Sequence, residues 1–363
     1  MRHEAKEGSY VIAAGGTGGH IFPGIALARE IRSRRPDSDI LFVGSRHGLE
    51  TRLVPQAGFP LELVRVSGFA GKRSAAKLGA IAELPVGFFQ ARGLLARRRP
   101  RAVAGVGGYV SFPVVVAARS LGVPTLIHES NAFPGIANRL LNRIATRTAV
   151  GVAAANSHLA RPGVVTGTPV RTEFFQVPPI DPSAPTRRLL VFGGSQGSRV
   201  LNRAMAEAAP LLARDGIEVI HQTGEKEFES VRARSGALPP GWRLEPFLPR
   251  IHEELAWADL VLARAGSQTL AELAAAGRPA VLVPFGSATH GHQTENARAF
   301  EHAGAAVVIE EGALTGEALA AAVRGLIGSR ERLVEMGRSA RSFARPDAAE
   351  RLADLLFEAE ATR

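Results

Sequence analysis

Two glycine-rich segments, Gly15-Gly16-Thr17-Gly18-Gly19-His20 and Gly193-Gly194-Ser195-Gln196-Gly197-Ser198, constrain this chain more than any other feature. Each follows a short apolar run (Tyr10–Ala14 and Leu189–Phe192) and precedes a stretch of helical character (Ile21–Arg35 and Arg199–Ala213). A strand that passes through a glycine turn into a helix is the opening unit of a parallel α/β sheet. Its return 178 residues later predicts two doubly wound, Rossmann-like domains in tandem, with a ligand held in the cleft between them. The 363 residues suffice for two cores. Further short buried runs continue each half: Ile40–Val43, Ala102–Val106, Thr125–His128 and Thr148–Gly151, then Glu218–Gln222, Leu260–Ala263 and Ala280–Val283. The four prolines of Val177–Pro185 mark the expected linker.

Composition removes several kinds of chemistry. With no cysteine, the chain has no disulfide framework, no thiolate metal site and no cysteine nucleophile. The run Tyr10–Ala14 is too short for a secretory signal, and no stretch reaches the roughly 18 apolar residues of a spanning helix. A protein made and kept in the cytoplasm is expected. The net charge of +10 is concentrated between Arg65 and Arg101, where nine basic residues face one acid, Glu83. Such a patch suits nucleic acid, anionic lipid or a phosphorylated ligand, and charge alone does not choose among them.

The loops exclude two familiar nucleotide motifs. A dinucleotide fingerprint begun at Gly16 would need glycine at Ile21, and the second strand ends in Gly44 and Ser45 rather than an acid. Neither loop ends in Gly-Lys-Ser/Thr. Both remain able to offer backbone N–H groups and a helix N-terminus to a phosphate. His20, at the mouth of its helix, is expected to be neutral and able to accept a proton. Thr269 and Glu272 have the spacing of a capping box, while the Glu272 carboxylate also suits the paired hydroxyls of a ribose. Gln293 and Asn296, three apart, would share a helical face and offer amides to sugar hydroxyls. His290-Gly-His292 has no companion ligand set for a metal, and Asp37-Ser-Asp39 reads as an ordinary turn. Gly107-Gly108-Tyr109-Val110-Ser111 and His128-Glu129-Ser130-Asn131 each follow a strand, where ligands bind in doubly wound sheets, and an acceptor is expected there.

Taken in order over nearly the whole chain, GGTGGH, GGYVS, HESN, GTPVRTE, GGSQGS, RAGSQTLAE and HGHQTENA closely resemble the MurG-type N-acetylglucosaminyltransferases of bacterial cell-wall synthesis. The resemblance implies a GT-B fold, two Rossmann-like domains facing a central cleft. Domain 1–170 would serve acceptor and membrane, and 171–344 would bind UDP-GlcNAc, with the last helix, 345–363, crossing back. It implies inverting transfer of GlcNAc from UDP-GlcNAc to the 4-hydroxyl of MurNAc in undecaprenyl-pyrophosphoryl-MurNAc-pentapeptide (lipid I), giving lipid II. His20 would be the base. Thr17, Gly18 and Gly19 would lie near the transferred sugar and acceptor, and Asn131 would contact the donor sugar. Arg171 and Ser195 would meet the diphosphate and Leu248 the uracil. Ser267, Gln268, Thr269, Leu270, Ala271 and Glu272 would hold phosphate and ribose, and Gln293 the GlcNAc hydroxyls. Gly107, Gly108, Tyr109 and Ser111 would form the acceptor loop.

Helix dipoles and Arg171 would stabilise the leaving diphosphate, so no metal or other cofactor is expected. Leu78, Ile81, Leu84, Phe88 and Phe89, rimmed by Lys72, Arg73 and Lys77, would dip into an anionic leaflet. A peripheral enzyme on the cytoplasmic face of the membrane is therefore expected, with no nucleic-acid partner. The rival readings are a UDP-GlcNAc 2-epimerase-like enzyme and a non-catalytic UDP-sugar-binding protein at the membrane.

Overall fold

The computed structural model describes residues 8–46, 48–67, 74–184, 187–194, 196–286 and 291–362, with 74–82 given by backbone alone. The chain divides into two compact units, one running to Val170 and resumed at Asp347–Arg363, the other Arg171–Pro346.

The first unit carries strands β1 (Ser9–Ala13), β2 (Asp39–Gly44), β3 (Leu61–Leu63), β4 (Ala102–Gly105), β5 (Thr125–Glu129), β6 (Arg147–Val150) and β7 (Val164–Val165). All pair in parallel in the order β3-β2-β1-β4-β5-β6-β7, with Tyr10 beside Ile40 on one side and Ala102 on the other. Its helices are α1 (Gly18–Arg34), α2 (Glu50–Gln56), α3 (Ser74–Arg98), α4 (Ser111–Ser120) and α5 (Ile136–Leu141). Alternate residues of β1 feed opposite faces, as the period of a strand requires. Tyr10 and Ile12 join a core with Ile21, Leu27 and Ile31 of α1, whereas Val11 and Ala13 meet Ala91 and Leu95 of α3 and Val114 of α4. Burial on both faces is why the strands read as continuous apolar runs.

The second unit has β8 (Arg188–Phe192), β9 (Glu218–Gln222), β10 (Trp242–Glu245), β11 (Leu260–Ala263), β12 (Ala280–Leu282) and β13 (Ala306–Val308), parallel in the order β10-β9-β8-β11-β12-β13. Its helices are α6 (Arg199–Arg214), α7 (Phe228–Ser235), α8 (Ile251–Trp257), α9 (Ser267–Ala276), α10 (His292–His302), α11 (Gly316–Ile327) and α12 (Arg330–Ser342). The expected linker is corrected here. Val177 and Ile180 are buried, and Ile180 packs into the second unit's core beside Leu333 and Met336. This segment therefore packs on that unit, and the chain passes between units at Val170/Arg171 and Pro346/Asp347.

The last helix, α13 (Ala348–Glu360), belongs to the first unit, where Leu352, Ala353 and Leu356 complete the core over α1. Glu360 accepts from the Tyr10 hydroxyl at 2.6 Å, from Arg35 Nη1 at 2.6 Å and from Arg101 Nη1 at 2.9 Å.

Candidate active site

In the first unit the helices after β1 and β4 lie on opposite faces of the sheet, so the loops leaving these adjacent strands diverge around a switch point, the usual ligand position. The two loops nest closely. Gly107 and Gly108 have φ of +111° and +78°, and a Cβ at Gly108 would stand 2.2 Å from the Gly15 carbonyl oxygen. A Cβ at Gly107 would stand 2.3 Å from His20 Cδ2, so glycine is what lets the imidazole sit here. Tyr109 is exposed, but the Ser111 hydroxyl is buried. It donates towards the carbonyls of Ala13 (3.0 Å) and Gly107 (2.7 Å) and accepts from Gly107 N–H (3.1 Å). Ser111 thus staples the Gly107–Ser111 loop to β1 through its hydroxyl.

Thr17, with extended backbone, is the N-cap of α1, so the helix starts at Gly18 and His20 lies inside its first turn rather than ahead of it. His20 Nδ1 is 3.3 Å from the Gly15 carbonyl oxygen. A carbonyl only accepts, so Nδ1 carries the proton and Nε2 keeps its lone pair. Burial holds the imidazole pKa below its ordinary value, against the pull of Glu129, the Gly15 carbonyl and Glu50. The ring is neutral at pH 7, and desolvation is the main cause.

Two buried carboxylates stand behind these loops. Glu50, on the first turn of α2, accepts from Gly16 N–H at 2.9 Å and from Ser45 N–H and hydroxyl at 2.8 and 2.6 Å. Glu129 accepts from Asn131 N–H and Nδ2 at 2.9 and 2.8 Å, Gly135 N–H at 3.0 Å and Asn138 Nδ2 at 2.9 Å. The Gly16 N–H of the first loop is thus engaged by a carboxylate.

The corresponding loops of the second unit, after β8 and β11, are backed by a guanidinium instead. Arg264 is buried and gathers them. Its Nε donates to the Ser198 hydroxyl at 3.0 Å, and Nη1 donates to Glu311 at 2.7 Å and to the carbonyls of Val283 and Pro284 at 3.3 and 3.2 Å. Ser198 in turn caps α6, accepting from Leu201 N–H at 3.4 Å. Ser195 lies outside the described residues. Leu248 is buried just after β10.

Ser267, Gln268, Thr269, Leu270 and Ala271 form the first turns of α9, whose N-cap is Gly266. Thr269 and Glu272 are thus inside the helix, and the capping-box reading is overturned. Glu272 is buried, with Gln268 Nε2 donating to it at 3.2 Å. Burial pushes its pKa up to about 7, against the pull of Gln268 and of Arg171, whose guanidinium also lies 5.0 Å from the Phe174 ring centre. A carboxylate so poorly solvated suits donors brought by a ligand. Gln293 Oε1 accepts from Phe285 N–H at 3.0 Å. Asn296 is placed differently. It is buried, and its Nδ2 donates to the Ala265 carbonyl at 3.3 Å. Among the described residues no group of three or more His, Asp and Glu side chains is placed to hold a metal ion.

Comparison with known proteins follows the same division. Residues 10–150 match the glycosyltransferase family 28 N-terminal domain and residues 188–352 its C-terminal domain. A relative from Anaeromyxobacter dehalogenans (strain 2CP-C), named UDP-N-acetylglucosamine--N-acetylmuramyl-(pentapeptide) pyrophosphoryl-undecaprenol N-acetylglucosamine transferase, is 44% identical over 96% of this chain and 92% of its own. The chain belongs to glycosyltransferase family 28, among its MurG-type members. A relative of the same name from Myxococcus xanthus (strain DK1622) is 43% identical over 96% of this chain and 92% of its own. The crystal structure of Acinetobacter baumannii MurG, 30% identical, covers 97% of this chain and 99% of its own with a TM-score of 0.75. The fold of this family 28 transferase is GT-B. The roles of Glu50, Arg264 and Glu311 were not read from sequence. The clearance around Glu50 comes from two glycines that precede it, Gly44 and Gly48, and from Gly15.

The surface helix needs a correction. Lys72 and Arg73 lie outside the described residues, as do the side chains of Lys77, Leu78 and Ile81. Leu84 is half-buried, and Phe88 packs on the core with Leu94 and Leu95, while Phe89 is 68% exposed. The two rings meet edge to face with centroids 5.2 Å apart, the first turned to the core and the second to the surface. No described helix is long and apolar enough to cross a membrane.

Proposed function

We propose that this family 28 transferase moves GlcNAc from UDP-GlcNAc to the 4-hydroxyl of MurNAc in lipid I, inverting the anomeric carbon and making lipid II for peptidoglycan. The match to relatives named for that transfer over 96% of the chain carries the reading. Buried Arg264 beneath the loops after β8 and β11, with buried Glu272 on α9, supports it. UDP-GlcNAc binds on the second unit, its ribose on Glu272, its diphosphate at the N-termini of α6 and α9 with Arg171, its uracil beside Leu248 and its sugar on Gln293. Asn131 of the first unit contacts the same sugar. His20 Nε2 takes the proton of the acceptor hydroxyl, whose oxygen attacks the anomeric carbon as the bond to the β-phosphate breaks. Electrostatic stabilisation of the departing UDP needs no metal on this reading.

Thr17, Gly18, Gly19 and the Gly107–Ser111 loop place the acceptor sugar. Phe89, with the basic residues around the start of α3, rests on an anionic membrane at the cytoplasmic face, where the lipid-linked acceptor lies. Incubation with labelled UDP-GlcNAc and lipid I tests the reading. Label should enter a lipid-soluble product. Release of free epimerised sugar nucleotide, or binding without turnover, would replace it with one of the two rivals.

A further inference from the structure

We propose that Glu50 is a positioning residue for His20, acting through the single peptide group that joins Gly15 to Gly16. The carbonyl of that peptide accepts from His20 Nδ1 at 3.3 Å, and its N–H donates to Glu50 Oε2 at 2.9 Å. In a trans peptide these two groups point in opposite directions, so carboxylate, peptide and imidazole form one chain of aligned dipoles. A negative charge at one end makes the carbonyl oxygen at the other a stronger acceptor. The inference rests on His20 being the base. When Nε2 takes the acceptor proton, the Nδ1–H to Gly15 bond becomes charge-assisted, and Glu50 stabilises the imidazolium without receiving a proton itself. The logic is that of a base oriented by a third group, with a peptide inserted between them.

The surroundings are built for this carboxylate. Glu50 is fully buried, and three donors meet its oxygens. A Cβ at Gly15, Gly44 or Gly48 would come within 2.8, 2.6 or 1.8 Å of its side chain. Three glycines on two loops thus clear its space. Glu129 and His128 also face the imidazole electrostatically. Glu129 is committed to the 131–138 loop, and His128 Nε2 is 3.0 Å from the Gly167 carbonyl oxygen, so neither has this bonded path to the ring.

The test is NMR of the full chain with labelled histidine and glycine, beside pH–rate profiles. In the unaltered protein the Gly16 amide should shift with the same midpoint as the His20 ring. Glu50→Gln should lower the His20 midpoint by about one pH unit, as loss of a nearby negative charge requires. The acid limb of kcat should move with it and plateau kcat should fall about tenfold, at unchanged UDP Kd. Glu50→Asp should restore the midpoint, and Ser45→Ala, which spares the Gly16 bond, should leave it in place. A Gly16 amide blind to His20 overturns the proposal, even if Glu50→Gln fails to fold. So does a Ser45→Ala shift as large as that of Glu50→Gln. A lowered midpoint with unchanged kcat keeps the coupling and instead removes His20 from the role of base.

Discussion

The two glycine loops of this molecule are near copies in sequence and are backed by different buried side chains. The first is backed by Glu50 and Glu129, both buried carboxylates, and carries a neutral imidazole. The second is backed by a buried guanidinium, Arg264, which holds the cap of α6 and the turn after β12. Strand, glycine turn and helix therefore do not set which buried side chain stands beneath a switch-point loop. In the first unit a carboxylate occupies the Gly16 N–H, and in the second a guanidinium, itself paired with Glu311, holds the Ser198 cap. On the proposed function the first loop serves proton transfer and the second a nucleotide diphosphate.

The largest expected effect separates these roles. His20→Ala should lower kcat by about 10²–10⁴ while UDP affinity, measured by calorimetry on the same protein, stays within twofold. His20→Asn keeps a hydrogen bond but not the base, so near-normal kcat in that variant would reassign His20 to binding. Because burial lowers the His20 pKa, the unaltered enzyme should lose kcat only as pH falls below about 6.5, the ordinary imidazole value.

Glu272→Gln should act on the other side of the comparison. UDP Kd should rise by roughly 10- to 150-fold, for hydrogen bonds to a charged group worth about 1.5–3 kcal/mol. The sign for stability is opposite. The folded pKa of about 7 lies above the ordinary 4.5, so the native carboxyl binds its proton more tightly than the unfolded one does. Stability then falls as pH rises from about 4.5 to 7, by an amount on the order of 3 kcal/mol that remains above pH 7. The ligand-free Gln variant should therefore melt higher than the parent at pH 8 and no higher at pH 4. A Tm lowered at both pH values would return Glu272 to a structural role.

Smaller effects are expected at α3. Phe89→Ser should weaken binding to anionic vesicles several-fold at unchanged Tm, the ring being exposed. Phe88→Ser should instead destabilise the first unit by about 2–4 kcal/mol. Equal Tm losses would remove the distinction between the two rings. The smallest expected effect is none at all: turnover in EDTA should equal turnover in magnesium if helix N-termini and Arg171 suffice for the diphosphate.

Sequence and structure agree most closely where signals are local. Short apolar runs became strands because each is buried on both faces, and the glycine loops stand at the strand ends. Sequence and structure part where one local pattern has two solutions. Thr269 and Glu272 have the same spacing on a cap as inside a helix, and Gly266 starts α9 earlier. Val177–Pro185 has the composition of a linker, but Ile180 finds a core. Gln293 and Asn296 do share a helix, yet one side chain meets a turn and the other a buried carbonyl. Glu50 was illegible for a different reason. It resembles any acid in a helix's first turn, and its partner Gly16 lies 34 residues away.

The seating of α13 on the first unit sets an order of events at the ribosome. Leu352, Ala353 and Leu356 belong to a core whose other members are synthesised first, and Arg171–Pro346 must be translated between them. At about 5–20 residues per second that interval lasts roughly 10–35 s. Throughout it the nascent first unit lacks the helix that covers Ile21, Leu27 and Ile31, as well as the carboxylate that receives the Tyr10 hydroxyl. Arg171–Pro346 is continuous in the chain, so every residue of the second unit is made before α13. The earlier half of the chain is consequently the later to have all its parts, and the face that α13 covers is the last to receive its cover.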